Sequence, residues 1–330
     1  AIPGDIVTIS KIDDISVSDT LCDPHTKVKF EDIIFPNPMA SLAIEPKSRE
    51  AEQKISETLN RLVAEDSTFK VSRDVQTHEL VVTGMSNLHL DVILSRLKSR
   101  YEIEVDSRQP KIPHKETITT KASAQYKHKK QTGGKGQYGE VYLRIEPLER
   151  GAGFKFVTKI VGGAIPSQYI PAVEKGLKET IAKGILSNNP IVDVKVELYD
   201  GTFHNVDSSE AAFKIAASKA FHLAFDDAKP VLLEPVVNIE VTIPSEFMGE
   251  ITGNLSSRRG RVQGMDAFGD IQVIQASIPM DEVKNYETEL KSMTGGRGSY
   301  TMELSHYDIV PSHLVPAIIA GAKKDTEKTD

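Results

Sequence analysis

A chain of 330 residues with 39% hydrophobic and 26% charged residues has the composition of a globular protein of two to four domains, each long enough to bury its own core. Its formal net charge of −7 excludes a surface that coats nucleic acid along its whole length, since phosphate contacts need Lys and Arg, but leaves room for a local basic site. The single cysteine, Cys22, excludes an internal disulfide; no apolar run reaches the ~18 residues of a membrane helix, and the chain opens with neither a signal peptide nor a methionine, as expected of an internal piece of a cytoplasmic protein.

Residues 1–26 read as short strands and turns, with a strand at Ile6–Ile9 and a turn before Ser18–Leu21. From about Phe35 to Gln109 the order is strand, helix, strand, strand, helix, strand. Ser48 caps a helix that runs to Glu65 with Ile55, Leu59 and Leu62 on one face, and Phe69–Val71 pairs with Leu80–Val82 around a polar turn. Leu88, Val92, Leu94 and Leu97 line the second helix, and Glu102–Val105 then alternates as an edge strand. A split βαβ pair, ferredoxin-like, is the economical arrangement.

Between Lys111 and Lys135 stand seven lysines and one acidic residue, Glu116. On charge alone a solvated loop and an RNA-facing surface fit this strip equally. Within it Gly134, Gly136, Gly139 and Val141 match the spacing of a kinase glycine loop. The other kinase motifs are absent, and Glu140–Ile145 reads as a strand where a dinucleotide site would need a helix, so the glycines are expected to serve a turn.

Gly162-Gly163 and Ile165-Pro166 precede a helix from about Gln168 to Lys183, with Val173, Leu177 and Ile181 on one face and Gly184 as its stop. Gly176 lies mid-helix at a cost of about 1 kcal/mol relative to alanine, for which tight packing on a sheet is the expected reason. Val194, Val196 and Leu198 then alternate with Lys195 and Glu197 as a half-buried strand, and Asp200-Gly201 signals its reversal. Asp207, with Glu210 three residues on, stands as the N-cap of a helix whose small apolar face (Ala212, Phe213, Ala216, Ala217, Ala220, Phe221) suits close contact with a sheet. His204 is left between the two elements, either packing its own turn or exposed for function.

After Val231 the strand and helix order of the earlier unit recurs: Val236–Ile243, a helix capped by Ser245 and running to about Ser257, a turn at Arg258–Arg261, Ile271–Ala276, a helix from about Met280 to Met293, and Ser299–Leu304. No G-x-x-x-x-G-K-[ST] loop occurs, His78-Glu79 lacks a second histidine, and Ser208-Ser209 lacks the glycines of a nucleophile elbow. Capping accounts for Asp207, Ser208 and Glu210 without an acid/base role, so no catalytic constellation is read.

The string GTFHNVDSSEAAFKIAAS resembles the tip and following helix of domain IV of bacterial elongation factor G, the translational GTPase that moves tRNA and mRNA through the ribosome. VGGAIPSQYIPAVEKG and KKQTGGKGQYGEV resemble other parts of that domain. AIEPKSREAEQKISETLNRL and GMSNLHLDVILSRLK resemble domain III, with Ser86-Asn87 where the family usually has Gly-Glu, a departure that suggests a divergent paralogue. LEPVVNIEVTIPSEFMGEITGNLSSRRG and TGGRGSYTMELSHYDIVP resemble domain V, and GDIVTISKIDDISVSDTL the last strands of the preceding β-barrel.

This resemblance implies an α+β multidomain plan: the end of β-barrel domain II at 1–26, a ferredoxin-like domain III at 27–109, a domain IV at 110–230 of the two-layer α/β type seen in ribosomal protein S5 domain 2, and a second ferredoxin-like domain V at 231–330. It implies a monomeric, cytoplasmic, ribosome-binding part of the factor, without membrane contact, whose partners are ribosomal RNA and proteins, tRNA, mRNA and its own GTPase domain. GTP and magnesium would belong to that GTPase domain, and no cofactor is expected here. The family's decoding-centre contacts carry over to His204, Asn205, Ser167, Gln168, Gly162 and Gly163, where the eukaryotic counterpart of the histidine is diphthamide, and Lys129, Lys130 and Lys135 are expected on RNA phosphates. A ribosome-recycling or ribosomal-protection GTPase of the same plan, or a stand-alone RNA-binding module, are the alternatives.

Overall fold

The computed structural model describes residues 2–10, 12, 15–131 and 136–326, the last four by backbone alone. The first unit comprises β1 (Ala40–Pro46), α1 (Arg49–Glu65), β2 (Lys70–Arg73), β3 (Leu80–Gly84), α2 (Asn87–Tyr101) and β4 (Val105–Arg108). Its sheet has the order β2-β3-β1-β4 and is antiparallel throughout, as a ferredoxin-like βαββαβ unit requires. Ser48 caps α1 by accepting the N–H of Ala51 at 3.1 Å, and Ile55, Leu59 and Leu62 meet Phe69, Val82 and Leu90 in the core.

The inward face of α2 differs from the expectation. Ser86 caps this helix through the N–H of His89, which sets its phase so that Leu90, Ile93 and Leu97 are buried with Leu94 beside them, while Leu88 and Val92 face solvent. The edge strand also starts later, at Val105, because Glu102 closes the helix in the left-handed region (φ 57°) and Ile103 turns into the core. Asn87, part of the departure noted above, donates to Thr288 at 3.1 Å and so ties this unit to the third. The strand expected at Ile6–Ile9 is absent: no strand forms among the described residues before Ala40, and Ile6, Val7 and Ile9 lie exposed with no neighbouring strand to take their backbone groups.

The second unit holds β5 (Lys115–Ile118), β6 (Ala122–Lys130), β7 (Gln137–Pro147), β8 (Phe154–Thr158), α3 (Ile170–Lys183), β9 (Val194–Thr202) and α4 (Glu210–Asp227). Its sheet runs β6-β7-β9-β8, with β8 and β9 parallel. Val141, Leu143, Val196 and Leu198 alternate onto one face, where Leu177 of α3 and Phe213, Ala217 and Phe221 of α4 cover them. Gly139 allows the close approach of α4, since a Cβ there would lie 3.1 Å from the Ala212 backbone. Gly176 packs on a helix, not on the sheet as expected: its Cβ would fall 2.6 Å from the carbonyl oxygen of Lys214 in α4.

Asp200-Gly201 does not end the strand. A bulge at Tyr199 shifts the register, so that Leu198 faces Leu143 and Asp200 faces Tyr142, and pairing continues to Thr202. The expected cap of α4 moves as well: Ser209 accepts the N–H of Ala212 at 3.2 Å, because Asp207 is engaged elsewhere.

The third unit repeats the βαββαβ order with β10 (Pro230–Pro244), α5 (Met248–Ser257), β11 (Arg261–Phe268), β12 (Ile271–Pro279), α6 (Tyr286–Met293) and β13 (Ser299–Ile309), followed by α7 (Val315–Thr326). The strand order β11-β12-β10-β13 matches that of the first unit position for position. Ser245 opens a short 3-10 turn and makes no capping bond, and the helix expected from Met280 is a 3-10 turn at Met280–Val283 followed by α6. The last strand extends to Ile309 because β10 is long enough to pair with all of it.

β5 pairs with the start of β10, from Pro230 opposite Ile118 to Leu233 opposite Lys115, which stitches the second unit into the third sheet. Within β5, Glu116 is fully buried, and its carboxylate accepts the backbone N–H groups of Ile185, Leu186, Ser187 and Asn189 at 2.8 to 3.1 Å. Gln76 donates to the carbonyl of His114 at 2.5 Å, and Tyr300 donates to the carbonyl of Met39 at 2.7 Å, so all three units meet near β5 and β13. Among the described residues no helix is long and apolar enough to cross a membrane.

Candidate nucleic-acid interface

The chain between β9 and α4 folds into a tip held by hydrogen bonds between backbone groups and the side chains of Ser208 and Asp207. The N–H of His204 donates to Ser208 Oγ at 2.9 Å, and the N–H of Ser208 returns to the carbonyl of His204 at 3.1 Å. Ser208 Oγ donates in turn to the carbonyl of Tyr138 at 3.0 Å, while the N–H of Tyr138 reaches the carbonyl of Asp207 at 2.9 Å. The tip is thereby clamped to the start of β7, and Asp207 completes the clamp by accepting the N–H of Gly136 at 3.0 Å.

His204 is 54% exposed at the end of this clamp. Its Nδ1 accepts the N–H groups of Val206 and Asp207 at 3.3 and 3.2 Å, which places the proton of the neutral ring on Nε2. Asp207 Oδ2 lies 3.3 Å from the same Nδ1. Asn205 is exposed at the apex, flanked by Phe203 and Val206, whose apolar side chains also face solvent.

The second loop braces the base of this tip. Gly162 and Gly163 take positive φ values of 68° and 73°, where an L side chain would be strained. Ile165 is buried against Gly201, where a Cβ would fall 2.4 Å from its Cδ1. Tyr169 stacks on Phe213 with ring centroids 4.9 Å apart and donates to the carbonyl of Ser208 at 3.3 Å. Ser167 and Gln168 are exposed, but no hydrogen bond among the described residues joins them to His204. The bracing residues are Ile165 and Tyr169.

The basic strip divides into parts with different partners. Lys115 lies 3.9 Å from the ring centroid of Tyr307, and Lys121 and Lys127 pair with Glu146 and Glu140. Lys129 and Lys130 are exposed at the end of β6, opposite Tyr138 and Gln137, and no ion pair engages either among the described residues. They share the His204 end of the sheet, since Tyr138 is also the anchor of Ser208. Lys135 and Gly134 lie outside the described residues. At Gly136 the Asp207 carboxylate takes the N–H that a bound phosphate would need, and a strand follows; the turn the glycines were expected to serve lies outside the described residues.

Sequence reasoning missed Tyr138, Phe203, Val206 and the clamp role of Asp207. The partners of the clamp are some 70 residues apart in sequence, and no local spacing signals them. Among the described residues no cluster of three or more His, Cys, Asp or Glu could hold a metal.

Three family descriptions match consecutive stretches of the chain: Elongation Factor G, domain III at residues 35–109; Elongation factor G, domain IV at 110–229; and Elongation factor G C-terminus at 231–318. The chain belongs to the elongation factor G family. The His204 tip is thus in the family's domain IV, and membership puts the chain among the elongation factors of translation. A crystal structure of a protein from Thermus thermophilus is similar at 41% identity and a TM-score of 0.76, over 91% of this elongation factor G chain and 46% of that protein. The chain therefore spans less than half of the length of that relative.

Proposed function

We propose that this chain is the ribosome-binding C-terminal part of an elongation factor G that promotes GTP-dependent translocation of tRNA and mRNA, acting as a monomer in the cytoplasm, with the His204 end of domain IV against RNA. The observation that carries the proposal is the clamp: among the described residues, every hydrogen bond fixing His204 uses its own backbone or Nδ1, so Nε2 is left to a partner. A planar ring that can donate a hydrogen bond and stack suits insertion against RNA better than a long mobile lysine. Phe203 and Val206 add apolar contact beside it, and Lys129, Lys130 and Lys135 act on phosphates without reading bases.

In this reading the tip works by position and shape and takes no part in bond chemistry. GTP and magnesium belong to the GTPase domain of the full-length factor, and Asn205, Ser167, Gln168, Gly162 and Gly163 form the rest of the RNA-facing end. The test is single-round translocation by the full-length factor carrying His204→Ala, alongside ribosome-stimulated GTP hydrolysis. Translocation should slow while hydrolysis stays near the parent rate. Unchanged translocation would overturn the assignment of the tip, and a parallel fall in both rates with an unfolded domain IV would make His204 a packing residue.

A further inference from the structure

The face of the domain IV sheet opposite α3 and α4 is not a neutral solvated surface. Where Val141, Leu143, Val196 and Leu198 point to the helices, alternation sends Glu140, Tyr142, Arg144, Lys195, Glu197 and Tyr199 to the other side. On that side the charges are layered. Glu197 is only 7% exposed beneath Arg144 at 3.0 Å and Lys159 at 2.8 Å, whose side chains are 49% and 62% exposed. Glu140 is likewise buried beside exposed Lys127, and half-buried Glu146 sits between Lys121 at 2.8 Å and Lys195 at 2.5 Å. The carboxylates of Glu140, Glu146 and Glu197 anchor the cations from below, and the layer that meets solvent is cationic apart from Asp200, which is exposed opposite Tyr142. The lysine contacts hold Glu146 down at about 2 and lower Glu197 as well, so these anchors stay ionised at neutral pH.

Aromatic rings are interleaved with these cations. Tyr142 and Tyr199 meet edge to face at 6.1 Å, the Arg144 guanidinium lies 5.0 Å from the Tyr199 centroid, and the Lys127 ammonium lies 5.3 Å from that of Tyr138. Tyr138 is in turn 6.1 Å from the His204 ring, so the aromatic track starts at the tip and continues into the sheet. Half-exposed rings alternating with exposed cations are what a nucleic-acid strand with unpaired bases needs: bases stack on the rings and phosphates meet the cations. A duplex hides its base faces and gains nothing from the tyrosines.

We propose that this open sheet face is a binding platform for single-stranded RNA, with Tyr142 and Tyr199 as stacking positions and Arg144, Lys155 and Lys159 as phosphate contacts. It adjoins the His204 tip through Tyr138 but uses other residues, and its test uses free RNA without ribosomes, so its failure would leave the tip proposal standing.

The experiment measures fluorescence anisotropy of a labelled oligouridylate of roughly 12 nucleotides, and of an RNA hairpin duplex of the same length, with the 330-residue chain at several salt concentrations. The single strand should bind more tightly than the duplex. Tyr142→Ala with Tyr199→Ala should weaken it by roughly 10- to 100-fold with little change in salt slope, while the paired Phe substitutions should stay within about threefold of the parent. Lys155 is exposed and makes no ion pair among the described residues, so Lys155→Glu should not disturb folding, and it should weaken binding several-fold and flatten the salt slope. Equal affinity for duplex, absence of single-strand binding, or an unchanged affinity in Lys155→Glu and the folded alanine pair would each overturn the platform and leave the face an ion-pair lattice.

Discussion

Replacing Glu116 with alanine removes one acceptor that four backbone N–H groups share. Ile185, Leu186, Ser187 and Asn189 donate to its two oxygens at 2.8 to 3.1 Å, and the residue is fully buried. A hydrogen bond to a charged acceptor contributes about 1.5–3 kcal/mol, and a buried donor left alone costs about 1–3 kcal/mol. The four are not additive, because water entering the vacated space would serve some of the donors, and the loss of a buried charged partner as a whole runs to about 3–5 kcal/mol. At about 4 kcal/mol, the amides of the 185–189 loop should exchange with solvent deuterium on the order of 1,000-fold faster in Glu116→Ala. Glu116→Gln, which keeps one acceptor oxygen, should give an intermediate increase. Hydrogen exchange is the suitable assay because three units sharing contacts need not unfold in one step. Exchange within about threefold of the parent in Glu116→Ala would refute the reasoning and show that the loop is held by packing alone.

Gly176→Ala should destabilise domain IV by about 1–3 kcal/mol, seen as a lowered thermal midpoint, since the new methyl would lie 2.6 Å from the Lys214 carbonyl and must push α3 from α4. Arg259 makes a bidentate pair with Glu234, whose side chain is 4% exposed, and also reaches Glu282 at 2.8 Å. Arg259→Ala should cost about 3–5 kcal/mol in denaturant unfolding of domain V, whereas the double change Arg259→Met with Glu234→Leu should recover most of it. His114 and Lys284 together hold the Asp281 carboxyl down at about 2, from an ordinary 3.8. A depressed folded pKa contributes stability above the unfolded value, so Asp281→Asn should lose about 1–2 kcal/mol at pH 7, and this difference should vanish as pH falls from about 4 to 2 in parallel melts.

The two ferredoxin-like units were legible because their signals are local: the apolar, β-branched runs of β3 and β10, the Ser48 cap, and the Ile55, Leu59 and Leu62 stripe are all properties of neighbouring residues. What escaped the sequence depends on residues distant in the chain. Asp207 and Ser209 are equally good caps by type, and the choice falls to Ser209 because Gly136, 71 residues away, claims the Asp207 carboxylate. Asp200-Gly201 reads as a turn from composition, yet the glycine is there because Ile165 packs where its side chain would be. The phase of α2 was misjudged because Leu88, Leu90, Val92, Ile93, Leu94 and Leu97 offered two possible stripes, and the cap at Ser86 decides between them. At the candidate site, His204 was visible as a residue between two elements, whereas the apolar neighbours Phe203 and Val206 and the anchor Tyr138 become evident only once the strands are paired.

β10 belongs to two folding units at once. Its first residues pair with β5, and the same continuous backbone runs on as an inner strand of the domain V sheet. A load applied at the far end of domain IV therefore arrives in domain V along a covalent strand whose hydrogen bonds lie across the pull, the geometry in which many bonds must fail together before anything slides. A hinge between these domains cannot sit at residue 230, where a sequence boundary would suggest one; any bending must be taken up in the connections that flank the β5–β10 pair. A fragment cut at that boundary would also expose an unpaired strand edge, and such an edge invites association with another copy.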